Sequence, residues 1–397
     1  MARVNPYSDA GPEDAAKVRF VRRRASAVFG AHGYRELLPS ALEPVGTAAR
    51  VGLRAPTLAD GRELRTDAMV AIARVYGGGP DRGRFARRMM GGVLFDPHPA
   101  GRLRAATFEI EAGVIFGVSD PAADAEVCAL AHALGGDPGL GGAEVVVATV
   151  GDAGDLERYA GRLAELGALA CARCLSTGDP LRFLGCDDEG CRALATSAPP
   201  LRDEISTDAR RHHDAVLAML DAAGVPVRDD PRLAFGANRY RRTILELRAL
   251  EGDDTRLVVA RGGRRDNLVA AVGGPQTPAV GLTLGLMRAA ACVSPADASF
   301  EPGCEIFFAA QGARARAWAF RAAAAERARG FRVDVDLGDG SWDEQLARAD
   351  ELHARVVVLC GEDERQAGAV QLRDLRSQKA FTVPEAELSS ALKRLLR

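Results

Sequence analysis

Aromatic residues are scarce in this chain, at 5% of its 397 residues. Long apolar runs are missing too. None approaches the ~18 residues that a membrane-crossing helix needs, so no helical span is expected. The opening MARVNPYSDAGPEDAAK has no apolar core of a secretory signal. A cytoplasmic protein is therefore expected, and its eight cysteines should stay reduced. Charge of one sign is lacking as well: the formal net charge is -2. No global field draws the chain to nucleic acid, so DNA is not an expected partner and any RNA contact must be a local patch. What remains is 47% hydrophobic and 27% charged, an ordinary globular balance rich in Ala, Gly and Arg.

Two stretches of cysteine stand out, Cys171-x2-Cys174 and Cys186-x4-Cys191. They have the residue types of a zinc site. The second gap is long and no histidine stands near. The four could be zinc ligands; the preferred reading is two pairs of small, half-buried residues with no metal.

Residues 13–31 predict a helix, because Val18, Val21, Ala25, Val28 and Phe29 recur at three and four while Arg22 to Arg24 lie largely off that stripe. Pro39 marks an extended segment. Residues 61–75 begin in a turn and end in a short helix. Residues 120–134 predict a helix with Asp120 as N-cap and Pro121 at its first position. Residues 152–225 read as mainly helical. TILELRAL (243–250) and TRLVVAR (255–261) read as strands, with glycine turns following in RGGRRDNL and VGGPQTPAVGLTLGLMR. VSPADASFEPG (293–303) is a linker. After it, three strands alternate with two helices, which implies a small parallel or mixed sheet flanked by helices. Two domains are expected, 1–297 and 298–397, with a helical insert over about 152–225.

The stretch VLFDPHPAGRLR (93–104) reads as strand, turn and strand. Arg102 and Arg104 fall two apart, so both point to one face of the second strand, as an anion clamp would require. The first strand offers Leu94 and Phe95 in return.

Several stretches together, in order along nearly the whole chain, resemble bacterial histidyl-tRNA synthetase, a class II enzyme. They are HGYRELLPSALEP, LRTDA, SDPAADAEVCALA, DPLRFLGCDDEGC, the region APPLRDEISTDARRHHDAVLAML, RGGRRDNLVAAVGGPQTPAVGLTLGLMR and ADELHARVVVLCGEDERQAGAVQLRDLRSQKAFTV. The resemblance implies an α+β fold: a six-stranded antiparallel sheet with helices, a helical insert, and a C-terminal α/β anticodon-binding domain. It also implies a homodimer through the first motif, which includes Pro39 and Glu43. ATP with Mg2+, histidine and tRNA are the implied ligands. Phosphate contacts are expected from Arg102, Arg104 and Arg288. Other ligand contacts are expected from Arg65, Asp67, Glu111, Gly113, Arg239, Tyr240, Arg242, Gly262, Gly263, Arg264 and Arg265.

Much of the implied chemistry has been replaced. Forming an aminoacyl adenylate needs a guanidinium on the α-phosphate, where charge builds. The family's motif 2 arginine follows a phenylalanine; here LFDPHP is one residue shorter and the arginine is gone. The family's Arg-Gly-Leu-Asp-Tyr-Tyr-Thr-Gly reads FGANRYRR, with Phe235 for the arginine, Arg239 for the first tyrosine and Arg242 for the glycine. Its Gly-Gly-Arg-Tyr-Asp reads GGRRD, with Arg265 for the tyrosine. Its Gln-x-Gly-x-Glu reads EAGVI from Glu111. Asp67 replaces the glutamate that would hold the substrate amine, and Met69 the threonine beside it.

Normal histidine–tRNA ligase activity is therefore not expected. A regulatory or tRNA- or nucleotide-binding paralogue is, with the C-terminal domain docking tRNA or a partner protein. The regulatory subunit of ATP phosphoribosyltransferase is such a relative and also has aspartate at the Asp67 position. The alternative is an ATP-dependent ligase for another acid. Arg239, Arg241, Arg242 and Arg265 discriminate: convergence on the cleft favours an anionic ligand, dispersal a solvated face.

Overall fold

The computed structural model describes residues 11–95, 107–136, 140, 142–176, 178–186, 188–236, 239–251, 255–293, 303–338 and 340–396. The expected second strand of the Arg102–Arg104 clamp, and both arginines, lie outside them. The chain divides into two compact units, residues 1–297 and 298–397.

Among the described residues the main sheet of the first unit has eight strands: β1 (Arg35–Glu36), β2 (Ala86–Phe95), β3 (Thr107–Phe116), β4 (Glu144–Thr149), β5 (Val227–Asp229), β6 (Arg241–Glu251), β7 (Thr255–Arg264) and β8 (Ala279–Gly285). Their order in the sheet is β1-β2-β3-β8-β7-β6-β4-β5. The six inner strands, β2 to β4 in that order, are antiparallel throughout, and β1 and β5 add parallel edges. Helix α1 (Pro12–Ala31) buries the expected stripe of Val18, Val21, Ala25, Val28 and Phe29. Helix α2 (Ala68–Gly78) begins at Asp67, whose carboxylate accepts the Val70 N–H (3.0 Å) as an N-cap. Its apolar residues pack on Met90, Leu94, Ile110, Ala112 and Val114 of β2 and β3. Helix α3 is Pro121–Gly136.

The insert contains α4 (Ala153–Arg162), α5 (Ala172–Leu175), α6 (Glu189–Ser197) and α7 (Thr207–Ala222). Its core of Leu156, Tyr159, Phe183, Leu201 and Cys191 closes onto Val146 and Ala148 of β4 and Ile244 of β6.

Neither expected glycine turn is a turn throughout: Ala279–Gly285 of the second is strand β8, and RGGRRD is not a turn at its start. Strand β7 runs on through Arg264, with Gly262 paired to Leu245 on one side and Leu282 on the other. A Cβ on Gly262 would lie 2.4 Å from the Gly281 carbonyl oxygen. The glycine is there to let neighbouring backbones approach, which a strand needs as much as a turn does.

Among its described residues the second unit has five strands, β9 (Ile306–Ala310), β10 (Val333–Val335), β11 (Val356–Cys360), β12 (Ala369–Asp374) and β13 (Lys379–Pro384), in the order β10-β9-β11-β12-β13. The first three are parallel and the last two antiparallel, a mixed sheet. Helices α8 (Ala313–Ala328) and α10 (Leu388–Leu396) supply Trp318, Ala319, Ala323 and Leu392 to one core, and α9 (Trp342–Glu351) supplies Ala349 to a second. Among the described residues no helix is long and apolar enough to cross a membrane.

Candidate ligand cavity of the first unit

A cavity of about 510 Å³ opens over the sheet beside the start of α2. Asp67 and Met69 line it from α2. Leu94 and Phe108, cross-strand partners on β2 and β3, face it. Phe235, Arg239 and Tyr240 enter from the segment before β6, Arg261 and Thr283 from β7 and β8, and Asp179, Arg182 and Gly185 from the insert. A neighbouring cavity of about 200 Å³ shares Gly52 and Arg239 with it. Arg50, Arg241, Arg265 and Asp266 line that second space.

The central contact is an ion pair between Arg265 and Asp67, 2.8 Å apart. Arg265 is 5% exposed and lies 5.9 Å from the Tyr240 ring. Burial opposes ionisation of Asp67, but the guanidinium groups of Arg265 and Arg239 outweigh it and hold the carboxyl below the usual aspartate range. Tyr240 packs edge-on against Phe235, with ring centroids 5.6 Å apart. The Arg261 guanidinium sits 4.9 Å over Phe235 and bonds Glu246 (2.8 Å), which also holds Arg248 (2.7 Å).

Of the ligand contacts expected from sequence, the structure brings Asp67, Arg239 and Tyr240 to the larger cavity and Arg265 to the smaller one. Others require correction. Arg65 is 8% exposed and donates to the carbonyls of Val93 (2.7 Å) and Pro39 (2.8 Å), so it ties backbone segments together. Arg264 is 1% exposed and bonds Asp124, the Val118 carbonyl (3.0 Å) and Asp266 (3.2 Å). Gly262 and Gly263 serve close strand approach, as above. Arg288 reaches the Val258 carbonyl (3.0 Å) and does not line either cavity.

Arg242 also turns away. Its φ is +53°, at a bulge between β6 and β7, where the resemblance puts a glycine. Its side chain bonds Asp152 (3.1 Å) and the Nδ1 of His212 (3.1 Å). A guanidinium only donates, so Nδ1 accepts, and Nε2 donates to Asp124 at 3.2 Å. The chain Arg264–Asp124–His212–Arg242–Asp152 thus links β7, α3, α7, β6 and the turn before α4.

Glu111 and Gly113 are misplaced by one strand position. Alternate residues of β3 face opposite sides. Phe108, Ile110, Ala112 and Val114 share the face that carries the cavity and α2. Glu111 accepts from Ser26 of α1 (3.2 Å), and a Cβ on Gly113 would press on Phe29 and Tyr34. Burial, with Glu36 and Glu109 adding to it, pushes the Glu111 carboxyl up to about 7, against the opposing effects of Ser26 and Arg22. A carboxyl raised in the folded state binds more protons there than in the unfolded chain. Stability should fall as pH rises from about 4.5 to about 7. Glu111→Gln is expected to remove that fall, matching the parent at pH 4 and exceeding it at pH 8 by roughly 2–3 kcal/mol in denaturant titrations. Equal parent and variant stability at pH 8 would defeat this account.

Arg182, Asp179 and Arg261 were not anticipated. The first two lie in the insert, far along the chain from the sheet, and such contacts leave no local periodicity to read.

Six antiparallel strands with a cavity over one face, closed by a helical insert and followed by a separate α/β unit, define a class II aminoacyl-tRNA synthetase architecture. The family model for the anticodon binding domain matches residues 310–395. A histidine–tRNA ligase of Maridesulfovibrio salexigens is 30% identical over 401 residues, covering 94% of this chain and 95% of its own. One from Anaeromyxobacter dehalogenans is 31% identical over 413 residues, 98% of each chain. The crystal structure of apo histidyl-tRNA synthetase from S. aureus superposes with a TM-score of 0.76 at 22% identity, over 99% of both chains. A structure titled as an ATP phosphoribosyltransferase regulatory subunit/histidyl-tRNA synthetase from Bacillus halodurans gives 0.65 at 20% identity, over 90% of this chain and 97% of that one. The chain belongs to the histidyl-tRNA synthetase family.

Proposed function

We propose that this family member does not activate histidine at a normal rate and instead binds a nucleotide or another phosphate-bearing anion in its paired cavities. The observation that carries this reading is the Arg265–Asp67 ion pair. Asp67 stands where the resemblance puts the carboxylate for the substrate amine. A guanidinium already occupies it, so an incoming ammonium must displace a buried ion pair. The strand face that would read an imidazole offers Ile110, Ala112 and Val114, which carry no hydrogen-bonding side chain.

The cations favour an anion. Three of the four arginines singled out in the sequence, Arg239, Arg241 and Arg265, line one small cavity together with Arg50 and Asp266; with Asp67 paired to Arg265, the arginines still outnumber the carboxylates. Clustered like charges in a concave site are relieved by a bound anion. Arg102, Arg104 and Arg288 are assigned to phosphate contact by resemblance alone, and ATP with Mg2+ is the first ligand to try. The same arginine cluster favours the second reading, an adenylating ligase for an acid other than histidine. Two copies of the chain are proposed to pair through residues 13–43, and the second unit to dock tRNA or a partner protein in the cytoplasm.

Histidine-dependent ATP–pyrophosphate exchange is the direct test. Loss of one transition-state donor typically costs about 10²- to 10³-fold, so exchange should run at least that far below a working relative. Binding of ATP at a hundredfold excess over its dissociation constant should add about 2.7 kcal/mol of stability, read as a rise in thermal midpoint, while histidine alone adds none. Robust exchange with histidine would end this reading. Exchange that responds to another carboxylic acid would establish the second one.

A further inference from the structure

The helical insert contains a feature that the cavity does not use. Cys171 is the N-cap residue of α5 and Cys174 lies within it, Cys186 follows the short turn Arg182–Gly185, and Cys191 sits in the first turn of α6. The sequence favours two pairs of small, half-buried residues over a set of four zinc ligands. The fold brings all four together: their sulfur atoms lie within 4.8 Å of one another, with Cys171 and Cys186 at 3.9 Å and Cys174 and Cys191 at 4.0 Å. Four thiolates around Zn2+ at about 2.3 Å stand about 3.8 Å apart at the corners of a tetrahedron. The thiols are thus placed almost as a bound ion would hold them.

The surroundings suit thiolates. The Cys171 backbone N–H points at the Cys191 sulfur (3.3 Å), and the Arg173 guanidinium at the Cys186 sulfur (3.2 Å). Donors of this kind are what ligating sulfurs collect around them. Plain apolar packing of cysteines calls for neither the convergence of four sulfurs nor a cation beside them. The second gap, which counted against zinc in the sequence, does not exclude it, since two and four residues within the pairs both fall in the usual range.

We propose that Cys171, Cys174, Cys186 and Cys191 hold one structural Zn2+ in a closed tetrahedral site. Each thiol that ligates gives up its proton, leaving a centre of charge -2 that Arg173 offsets in part. The ion would serve a clear mechanical need. Helix α5 has four residues, α6 has nine, and the stretch between them includes a 3-10 segment of four, Arg182–Gly185. Helices this short are not stable on propensity alone. The loop between Cys174 and Cys186 carries Asp179, Arg182 and Gly185, which form one wall of the larger cavity. A metal staple at both ends of that loop sets where Arg182 stands. The metal site does not depend on which ligand the cavity takes.

The test uses the full chain purified under reducing conditions without chelator. Elemental analysis should find about one zinc per chain. Replacement by Co2+ should give the strong near-ultraviolet thiolate-to-cobalt bands and the visible bands of a tetrahedral all-sulfur site. Cys186→Ser should weaken metal retention at least about 100-fold, more than an outer-shell change costs. Cys304→Ser, in the other unit, should keep the full complement. If Cys186→Ser fails to fold, zinc content and the cobalt spectrum of the unaltered chain still decide. Folded, reduced protein with no zinc and no cobalt bands would overturn the proposal. So would an intact mass showing two native disulfides among these cysteines.

Discussion

Arg264→Met is expected to lower the unfolding free energy of the first unit by about 3–5 kcal/mol, measured by denaturant titration at neutral pH. The partner, Asp124, is fully buried, and Arg264 is 1% exposed. Methionine keeps much of the side-chain volume, so the loss is electrostatic. Removing the guanidinium leaves a carboxylate in the core with only His212 beside it. Burial opposes ionisation of Asp124, and the bonds from His212 and Arg264 reverse that, holding its carboxyl below the usual aspartate range. A carboxyl depressed in the folded state stabilises at pH above its unfolded value near 3.8 and loses that contribution as pH falls through the folded value. The variant lacks the Arg264 guanidinium, which with His212 holds that carboxyl down. Its deficit should hold from neutral pH down to about 4 and shrink only as pH falls below the unfolded value near 3.8. A deficit that stays constant with pH would show that Arg264 acts through packing alone.

Asp67→Asn should cost about 3 kcal/mol or more, because it leaves Arg265 charged and buried without its partner. Arg265→Tyr, which restores the residue expected from the resemblance, should also destabilise, since Asp67 then loses its main counter-charge. The double variant Asp67→Asn with Arg265→Tyr removes both charges together. It should be more stable than the sum of the two losses predicts, by about 1–3 kcal/mol, the usual coupling of residues in direct contact. The single variants also separate structure from function. Arg265→Tyr frees the Asp67 carboxylate toward the cavity and should allow histidine to raise the thermal midpoint, while weakening any shift from ATP. If histidine stabilises the parent as well as it does Arg265→Tyr, the ion pair is not what bars the amine.

The failures of the sequence reading are particular. Glu111 and Gly113 matched a motif at the right spacing, yet a shift of one position in a strand moves a side chain from one face of the sheet to the other. Arg65 and Arg264 stood in motifs expected to touch ligand. Whether a guanidinium meets ligand or carbonyl depends on what lies above it, and Pro39, Val93 and Asp124 come from other parts of the chain. Arg239 and Arg265 did reach the cavities, but the sequence could not show that Arg265 would be paired with Asp67 across 198 positions.

Local chemistry by itself determined several of the elements. The apolar stripe of α1, the Asp67 and Asp120 starts of two helices, the alternation of the long strands and the linker before the second unit all follow from backbone periodicity and capping over a few residues. The ordered set of motifs determined the family, because each piece keeps its place along the chain. Tertiary structure alone decided which side of each strand faces the cavity, which arginines bind protein rather than ligand, and whether two cysteine pairs form one cluster. Those outcomes rest on contacts between segments distant in sequence. Their energies are set by burial and by the partner that happens to lie within hydrogen-bond reach, and neither leaves a mark in the local pattern of residues.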